Sequence, residues 1–593
     1  GAIPAPIILV GQYTIGASLG QDALNSSMKA GLIGLVILAL YMLLYYRLPG
    51  LLADLALGIY AVILIFFIKV SLSLAISLAI SLVIFSFLIS AILKNKDSGW
   101  EKLLSFFLSC FVLVFLTYLL STPVVLTLAG IAGVILSIGM AVDANILIFE
   151  RMREELRNGR PLSGAIEVGF DRAWSSIRDS NFSSLITCAI LMYFGSSIIQ
   201  GFAVNLALGI LISMFTAITI TRTFLRSLSG TKLGKSKALM GIPKKGHPTF
   251  KIIQKRNLWF SFSGLLVIAA LIAIPTNGLK FGLDFTGGTR MEIQFEEPVD
   301  GEALSNNLLT LEEDLLGMET TEETTASSPE NAPITPEELL EEIETVSIEA
   351  IDEEEEEIPV DFGEPIIVAS GDNTIIIRMK HISNESHEAI LAALESEFGP
   401  LEETRFETIG PTIGSTMKEK AIIALIIALV MIVIYIAFAF RHIPRHLSPW
   451  RFGASAIAAL VHDVLITLGI FVVLGSVLGV EIDALFITAL LTIMGFSVHD
   501  TIVTFDRIRE NLKYQKSDET FETVANRAVN ETIARSMNTS MSTLFTIAAL
   551  FALGAESIHF FLLALIIGLI AGTYSSIFIA TPILVWWQSR KSK

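Results

Sequence analysis

Apolar runs of about 20 residues recur along this chain. Each is long enough to cross a hydrocarbon core of roughly 30 Å as a helix. Inside lipid the backbone must satisfy its own hydrogen bonds, so such runs fold as helices. Candidate spans cover 30–47, 51–70, 71–93, 103–121, 125–149, 181–199, 201–225, 257–275, 419–440, 453–475, 483–504, 537–555 and 557–587. Of the 593 residues 53% are hydrophobic and 17% charged, against roughly 25% charged in ordinary soluble domains. With a mean hydropathy of +0.66, this excludes both a soluble globular protein and a mainly disordered one. The chain reads as an all-α polytopic membrane protein carrying a small α+β domain outside the membrane.

Orientation follows from Lys and Arg in the short loops. Arg47, Lys94–Lys96, Arg151–Arg178, Arg222–Arg256, Arg441–Arg451, Arg507–Arg535 and Arg590–Lys593 all fall on one side when the thirteen spans are taken in order. That side is expected to be cytoplasmic. The start of the chain and the segment 276–418 fall on the other side. The net charge of −17 is uneven, because Glu296–Glu364 holds about 25 acids and no Lys or Arg. Without it the body is mildly basic. Cys110 and Cys188 lie in apolar runs and read as small core residues, with no metal or disulfide pattern. The opening Gly1–Val10 resembles a strand that ends a domain, and an N-terminal part is expected to be missing.

Within 276–418, Arg290–Phe295 alternates as a strand, and Pro365–Lys380 reads as a hairpin around Gly371-Asp-Asn. Ser386–Phe398 has helical spacing, and Thr404–Ile409 is a further strand. The acidic stretch 299–360 is expected to be a solvated insertion that buries little, with a helix at Glu337–Glu349. Gly282-Leu-Asp-Phe-Thr-Gly-Gly-Thr289 is glycine-rich but lacks the Lys of a phosphate loop. It reads as a turn into a strand.

The chain repeats itself. Gly139-Met-Ala-Val-Asp-Ala-Asn-Ile-Leu-Ile-Phe-Glu-Arg-Met-Arg-Glu-Glu-Leu156 aligns with Gly495-Phe-Ser-Val-His-Asp-Thr-Ile-Val-Thr-Phe-Asp-Arg-Ile-Arg-Glu-Asn-Leu512. Asp143 then stands beside His499 and one place before Asp500. Both halves have the same orientation, so two pseudo-equivalent bundles are expected to face each other across an axis normal to the membrane. The hairpin at about 71–121 has no counterpart.

Asp143 lies in an apolar run, where an ionised unpaired carboxylate costs several kcal/mol and exchange of a proton relieves the cost. Proton relay and a structural polar contact are the two readings. Gly139, Ala141 and Ala144 permit close helix approach, and Asn145 adds an amide. Asp500 is the second candidate, and Asp143 and Asp500 are read as the one pair of acids inside spans. His499 is either a group that titrates near neutral pH or a satisfied polar residue. Arg535 either pairs with these acids or snorkels to the interface. Asn181, Ser183 and Ser184 in one half, and Asn538, Thr539, Ser542 and Thr543 in the other, supply further polar atoms. Glu150-Arg-Met-Arg and Asp506-Arg-Ile-Arg read as ion pairs and headgroup anchors. No nucleophile, metal-ligand or cofactor spacing appears, which argues against an intramembrane enzyme.

Taken together, these motifs resemble the bacterial protein-export membrane proteins SecD and SecF, joined as a fusion. Val142-Asp-Ala-Asn-Ile-Leu-Ile-Phe-Glu-Arg151 is similar to the SecD signature. The Gly282–Thr289 and Asp500–Asn511 stretches are similar to SecF signatures. Leu48-Pro-Gly, Gly130-Ile-Ala-Gly and Gly201-Phe-Ala-Val also follow the SecD style.

The resemblance implies an RND-type fold in the bacterial cytoplasmic membrane. It implies work beside the SecYEG channel and the SecA motor, with YajC and YidC as further partners. There the proton gradient would help complete preprotein export, with no cofactor, no metal and no nucleic acid. It also implies proton coupling by Asp143, Asp500 and Arg535, with Asn145, His499, Asn181, Asn538 and Thr539 in support. The implied domains are 1–29, the tail of a missing extracytoplasmic domain; 30–228, SecD-like; 229–256, a basic linker; 257–275, the first SecF-like span; 276–418, extracytoplasmic; and 419–593, SecF-like. The family's first SecD span and large periplasmic domain have no counterpart, and His499 stands where SecF often has Asn. An RND exporter of small molecules or lipids is the alternative.

Overall fold

The computed structural model describes residues 11–15, 17–69, 127–242, 249–322, 362–363, 365–369, 373–440, 449–516 and 518–589. The spans expected at 71–93 and 103–121, Cys110, the helix expected at Glu337–Glu349 and the Gly1–Val10 strand lie outside these. The chain divides into two compact units. One comprises Gly1–Gln21 and Phe281–Lys418; the other comprises Asp22–Lys280 and Glu419–Lys593.

The first half of the helical unit begins with α1 (Ala17–Tyr46) and α2 (Leu48–Lys69). They are joined at Arg47, the one non-glycine residue with positive φ among the described residues. Gly50 makes the hairpin tight, because a Cβ there would lie 2.1 Å from the Met42 carbonyl oxygen. Next come α3 (Leu128–Arg157), α4 (Leu162–Phe194) and α5 (Ser197–Phe215). A π-helical segment, Thr216–Thr221, carries α5 into α6 (Arg222–Leu228). The Thr127 hydroxyl caps α3 by accepting from the Gly130 N–H at 2.9 Å. After the basic linker comes α7 (Arg256–Asn277). Cys188 is buried in α4.

The other unit is an antiparallel sheet with helices. After the short α8 (Leu283–Thr286) come β2 (Gly288–Phe295) and α9 (Gly301–Glu322). Then follow β3 (Ile366–Ala369), β4 (Thr374–Met379), α10 (Asn384–Phe398) and β5 (Leu401–Ile409). With β1 (Gly11–Ile15) the strand order is β1-β5-β2-β4-β3. Alternate residues of β2 and β4 point inward, so Met291, Ile293, Phe295, Ile375 and Ile377 meet Ile390 and Leu394 of α10 in one core.

The expectation that 299–360 buries little fails at its start. Leu304 and Leu308 of α9 are fully buried in this core. Their i, i+4 spacing puts them on one helix face, and the surrounding acids hid that period.

Two glycines turn the chain into β2. Gly287 has φ +70° and ψ 171°, a region nearly closed to other residues. A Cβ on it would lie 2.8 Å from Pro411 Cα, and one on Gly288 (φ +122°) would lie 2.8 Å from the Met379 carbonyl oxygen. We expect Gly287→Ala to destabilise this unit by at least about 1–3 kcal/mol, read as earlier proteolysis within 281–418 of the intact protein.

His381 adds a pH dependence. Its Nδ1 lies 2.7 Å from Thr408 Oγ1, and burial lowers its pKa from 6.5. A base whose folded pKa is depressed costs nothing above its unfolded pKa. Stability is therefore complete above pH 6.5 and is lost as pH falls from 6.5 toward the lower folded value. His381→Gln should flatten that part of the pH–stability curve of the intact protein.

The second half of the helical unit consists of α11 (Pro411–Ala439), α12 (Pro449–Leu478), α13 (Ala484–Leu512), α14 (Phe521–Leu553) and α15 (His559–Ser575). A second π-helical segment, Ser576–Ala580, leads into α16 (Thr581–Ser589). The halves thus share a helix order and a π segment in the same place.

Ten helices among the described residues are long and apolar enough to cross a membrane. The span expected at 181–199 falls in α4, whose first half is polar, and α4 is not among the ten. The two repeat helices α3 and α13 are central, with 89% of their apolar windows buried, against 11% for α7. Packing crosses between the halves, α14 against α3 and α13 against α4. Gly139 makes the first crossing close, a Cβ there lying 3.0 Å from Thr543 Cα. Gly495 does the same at the second, a Cβ lying 3.0 Å from Thr187 Oγ1.

Candidate functional site

The repeat brings its polar residues to one place. On α3, Asp143 is 7% exposed. Its Oδ1 accepts from the Thr539 hydroxyl of α14 at 2.6 Å. Its Oδ2 lies 2.9 Å from His499 Nε2 of α13. That nitrogen has no hydrogen-bond partner by geometry, so the contact is an ion pair only when the imidazole is protonated. A first-half acid is therefore held by two second-half residues.

Arg535 of α14 does not snorkel. It is 4% exposed, and none of its three guanidinium nitrogens has a hydrogen-bond partner. The charges of Asp143 and Asp500 both act on it. Asp500 is also buried, and its Oδ1 has no hydrogen-bond partner. The site thus holds two acids, one imidazole and one fixed cation, all buried. A cavity of about 20 Å³ touches Asp143, Asn181, Ser184, His499, Asp500 and Thr539, enough room for a water. Such a group can take up, hold and release a proton with local change in packing.

The supporting residues divide. Asn181 lines the cavity, and its amide nitrogen donates to the Ile177 carbonyl at 2.8 Å. Asn538 is tied to α1 instead: Tyr41 OH donates to its Oδ1 at 2.7 Å, and its Nδ2 donates to Tyr46 OH at 2.9 Å. Asn145 is buried on α3 with its Oδ1 unpaired, and it does not line the cavity.

The expectation of one acid pair inside the spans is overturned. Asp463 of α12 is fully buried, and Asp54 of α2 has a buried Oδ1 without a hydrogen-bond partner. Both lie in apolar runs, and an ionisable residue there is itself the signal. Tyr41 and Tyr46 were missed because a Tyr near a span end reads as an interface anchor.

Below the site, on the basic side, the expected ion pairs form a network between the halves. Arg507 donates from Nε to Glu531, from Nη1 to Glu510 and from Nη2 to Glu154, each at 2.7 Å. Arg172 of α4 bonds both Glu155 and Glu510 at 2.5 Å.

The sequence profile described as "Protein export membrane protein SecD/SecF, C-terminal" matches residues 389–590. The "SecD/SecF GG Motif" matches 272–299, which contains the Gly287-Gly288 turn. The MMPL family profile matches 103–267. The protein translocase subunit SecDF of Bacillus subtilis is 30% identical over 613 residues, covering all of this chain and 68% of that one. The chain belongs to the SecDF family.

The SecDF of Brucella abortus is 29% identical over 592 residues, covering 99% of this chain and 63% of that protein. A crystal structure of SecDF from Thermus thermophilus, titled as a translocon-associated membrane protein, superposes with a TM-score of 0.72 at 28% identity. It covers 99% of this chain and 66% of that one. This chain thus spans about two thirds of the length of its SecDF relatives. As a SecDF chain it is a multi-pass protein of the bacterial cytoplasmic membrane, a protein translocase subunit with the RND-type repeat.

Proposed function

We propose that this chain is the proton-coupled membrane part of an accessory subunit of the Sec translocase. Asp143, Asp500 and Arg535 carry the proton, with His499 and Thr539 as direct partners of Asp143. The carrying observation is that a first-half carboxylate is held by second-half residues beside a buried guanidinium without hydrogen bonds. Protonation of Asp143 removes the charge that holds His499 and Arg535 toward α3, so α13 and α14 repack. One charge crossing the membrane potential is worth about 2.3 kcal/mol per 100 mV, roughly a fifty-fold bias in a two-state equilibrium.

The repacking is passed along the chain to the segment 276–418 on the outer side, which engages unfolded preprotein leaving the SecYEG channel after SecA has driven it in. YajC and YidC are the further partners of this arrangement. The domains follow the same reading, with 30–228 SecD-like and 257–275 with 419–593 SecF-like. In cells lacking their own SecDF, Asp143→Asn should remove the gradient-dependent part of preprotein export while the protein stays folded. Wild-type export by that variant would sink the reading.

A further inference from the structure

A second buried acid lies outside the site described above. Asp463, midway along α12, is fully buried. Its Oδ2 accepts from two hydroxyls, Ser497 of α13 at 2.5 Å and Ser575 of α15 at 2.7 Å. Its Oδ1 lies 2.9 Å from Nδ1 of His462. The His462 Nε2 is buried without a hydrogen-bond partner, and its ring stacks on Tyr574. Glycine keeps the space open here: a Cβ on Gly572 would lie 3.1 Å from Ser497 Cβ and 3.6 Å from Asp463 Oδ2.

The elements packed on α12 are α7, α13, α15, α16 and the π segment Ser576–Ala580. They bring little fixed charge to this depth. The chain from Asn257 to Gly278 in and after α7 has no ionisable residue. On α15 the titratable groups are His559, at the far end, and Tyr574. The segments 576–580 and Thr581–Ser589 carry none. On α13, His499 and Asp500 follow Ser497 by two and three residues, and Asp506, Arg507, Arg509 and Glu510 lie further along toward the basic end. Among the described residues no Lys or Arg pairs with Asp463.

Two features tie the group to the proton site. Ser497 and Asp500 are three residues apart on α13, so they share a face about 4.5 Å apart along the axis. Ser575 is the last residue before the π segment, and π-helical turns occur frequently at functional sites.

We infer that Asp463 with His462 is a second proton-exchange site, serving the same proton passage as Asp500 and connected to it through Ser497. A hydroxyl that donates to the carboxylate must turn away when Oδ2 takes up a proton, and the freed Ser497 hydroxyl then reorients one turn from Asp500. The imidazole of His462 offers the second acceptor. The proton added at one side is the proton released at the other, so charge balances at each step. The inference rests on the proposed reading that this chain conducts protons.

The test is proton flux into proteoliposomes holding the full chain, under an imposed pH gradient, with thermal unfolding as the fold check. Asp463→Asn keeps the shape and an acceptor for both hydroxyls but cannot carry a proton; flux should fall at least tenfold. Asp463→Glu should keep a measurable part of it, an order that packing alone would reverse. Ser497→Ala should shift the pH at which flux is half-maximal. Wild-type flux in Asp463→Asn, or equal loss in the Asn and Glu variants, overturns the inference. If Asp463→Asn does not fold, Ser497→Ala decides, and an unchanged pH profile overturns it. Asp143→Asn run in parallel separates the two readings. Flux lost there but kept in Asp463→Asn sinks this inference alone. Flux kept there but lost in Asp463→Asn sinks the Asp143 path and leaves Asp463 standing.

Discussion

Proton flux through Asp143→Asn should drop by roughly 100-fold or more, the usual worth of a positioned proton-transfer group. The substitution is nearly isosteric. The Asn oxygen still accepts from Thr539, whose hydroxyl lies 2.6 Å from Asp143 Oδ1. What is lost is the ability to take and release a proton, and with it the charge that faces His499 at 2.9 Å. Arg535→Ala should stop flux for a different reason. It removes the fixed positive charge that Asp143 and Asp500 share. The bundle then no longer distinguishes a charged from a neutral pair of acids. Both variants should be measured in proteoliposomes across a range of imposed pH gradients. Flux equal to wild type in either would mean that residue is structural.

The largest expected loss of stability is that of Arg507→Ala. The side chain is 6% exposed and reaches three carboxylates on three helices: Glu154 of α3, Glu510 of α13 and Glu531 of α14. Removing one partner of a buried ion pair costs about 3–5 kcal/mol, because the remaining charges are left uncompensated. The three acids keep 25–34% of their side chains exposed, so water offsets part of the loss and about 3 kcal/mol is the expected figure. Thermal unfolding of the purified protein checks it. Arg507→Lys, which presents a point charge instead of a planar fork, should recover part of that loss.

The contrast between what could be read from the chain and what could not has a physical basis. The repeat was legible because Phe149-Glu-Arg and Phe505-Asp-Arg fix the alignment, and it delivered Asp143, His499 and Asp500 to one site. Strand β2 was legible from its alternation, and β3 and β4 from the hairpin signal at Gly371-Asp-Asn. Helix α9 was not, because acids around Leu304 and Leu308 lowered the mean hydropathy without disturbing the spacing that buries them. Asp463 was passed over for a related reason. His462 and Asp463 stand alone between the apolar residues Val461 and Val464, Leu465 and Ile466, and Asp463 lies outside the signatures on which the alignment was built. The fate of Arg535 also needed coordinates. On the matching helix of the first half, Arg178 is half exposed and pairs with Asp179, while Arg535 is buried, so an arginine is a surface charge on one of these helices and a buried one on the other. Only packing decides between them.

The two close glycine crossings, Gly139 on α14 and Gly495 on α4, have a mechanical meaning. At each point one helix touches another with no side chain of its own between them, so the pair cannot move closer. Moving apart would open a void without filling it. Two such bearing points, one from each half, define a line. Rotation about that line is the displacement that keeps both contacts.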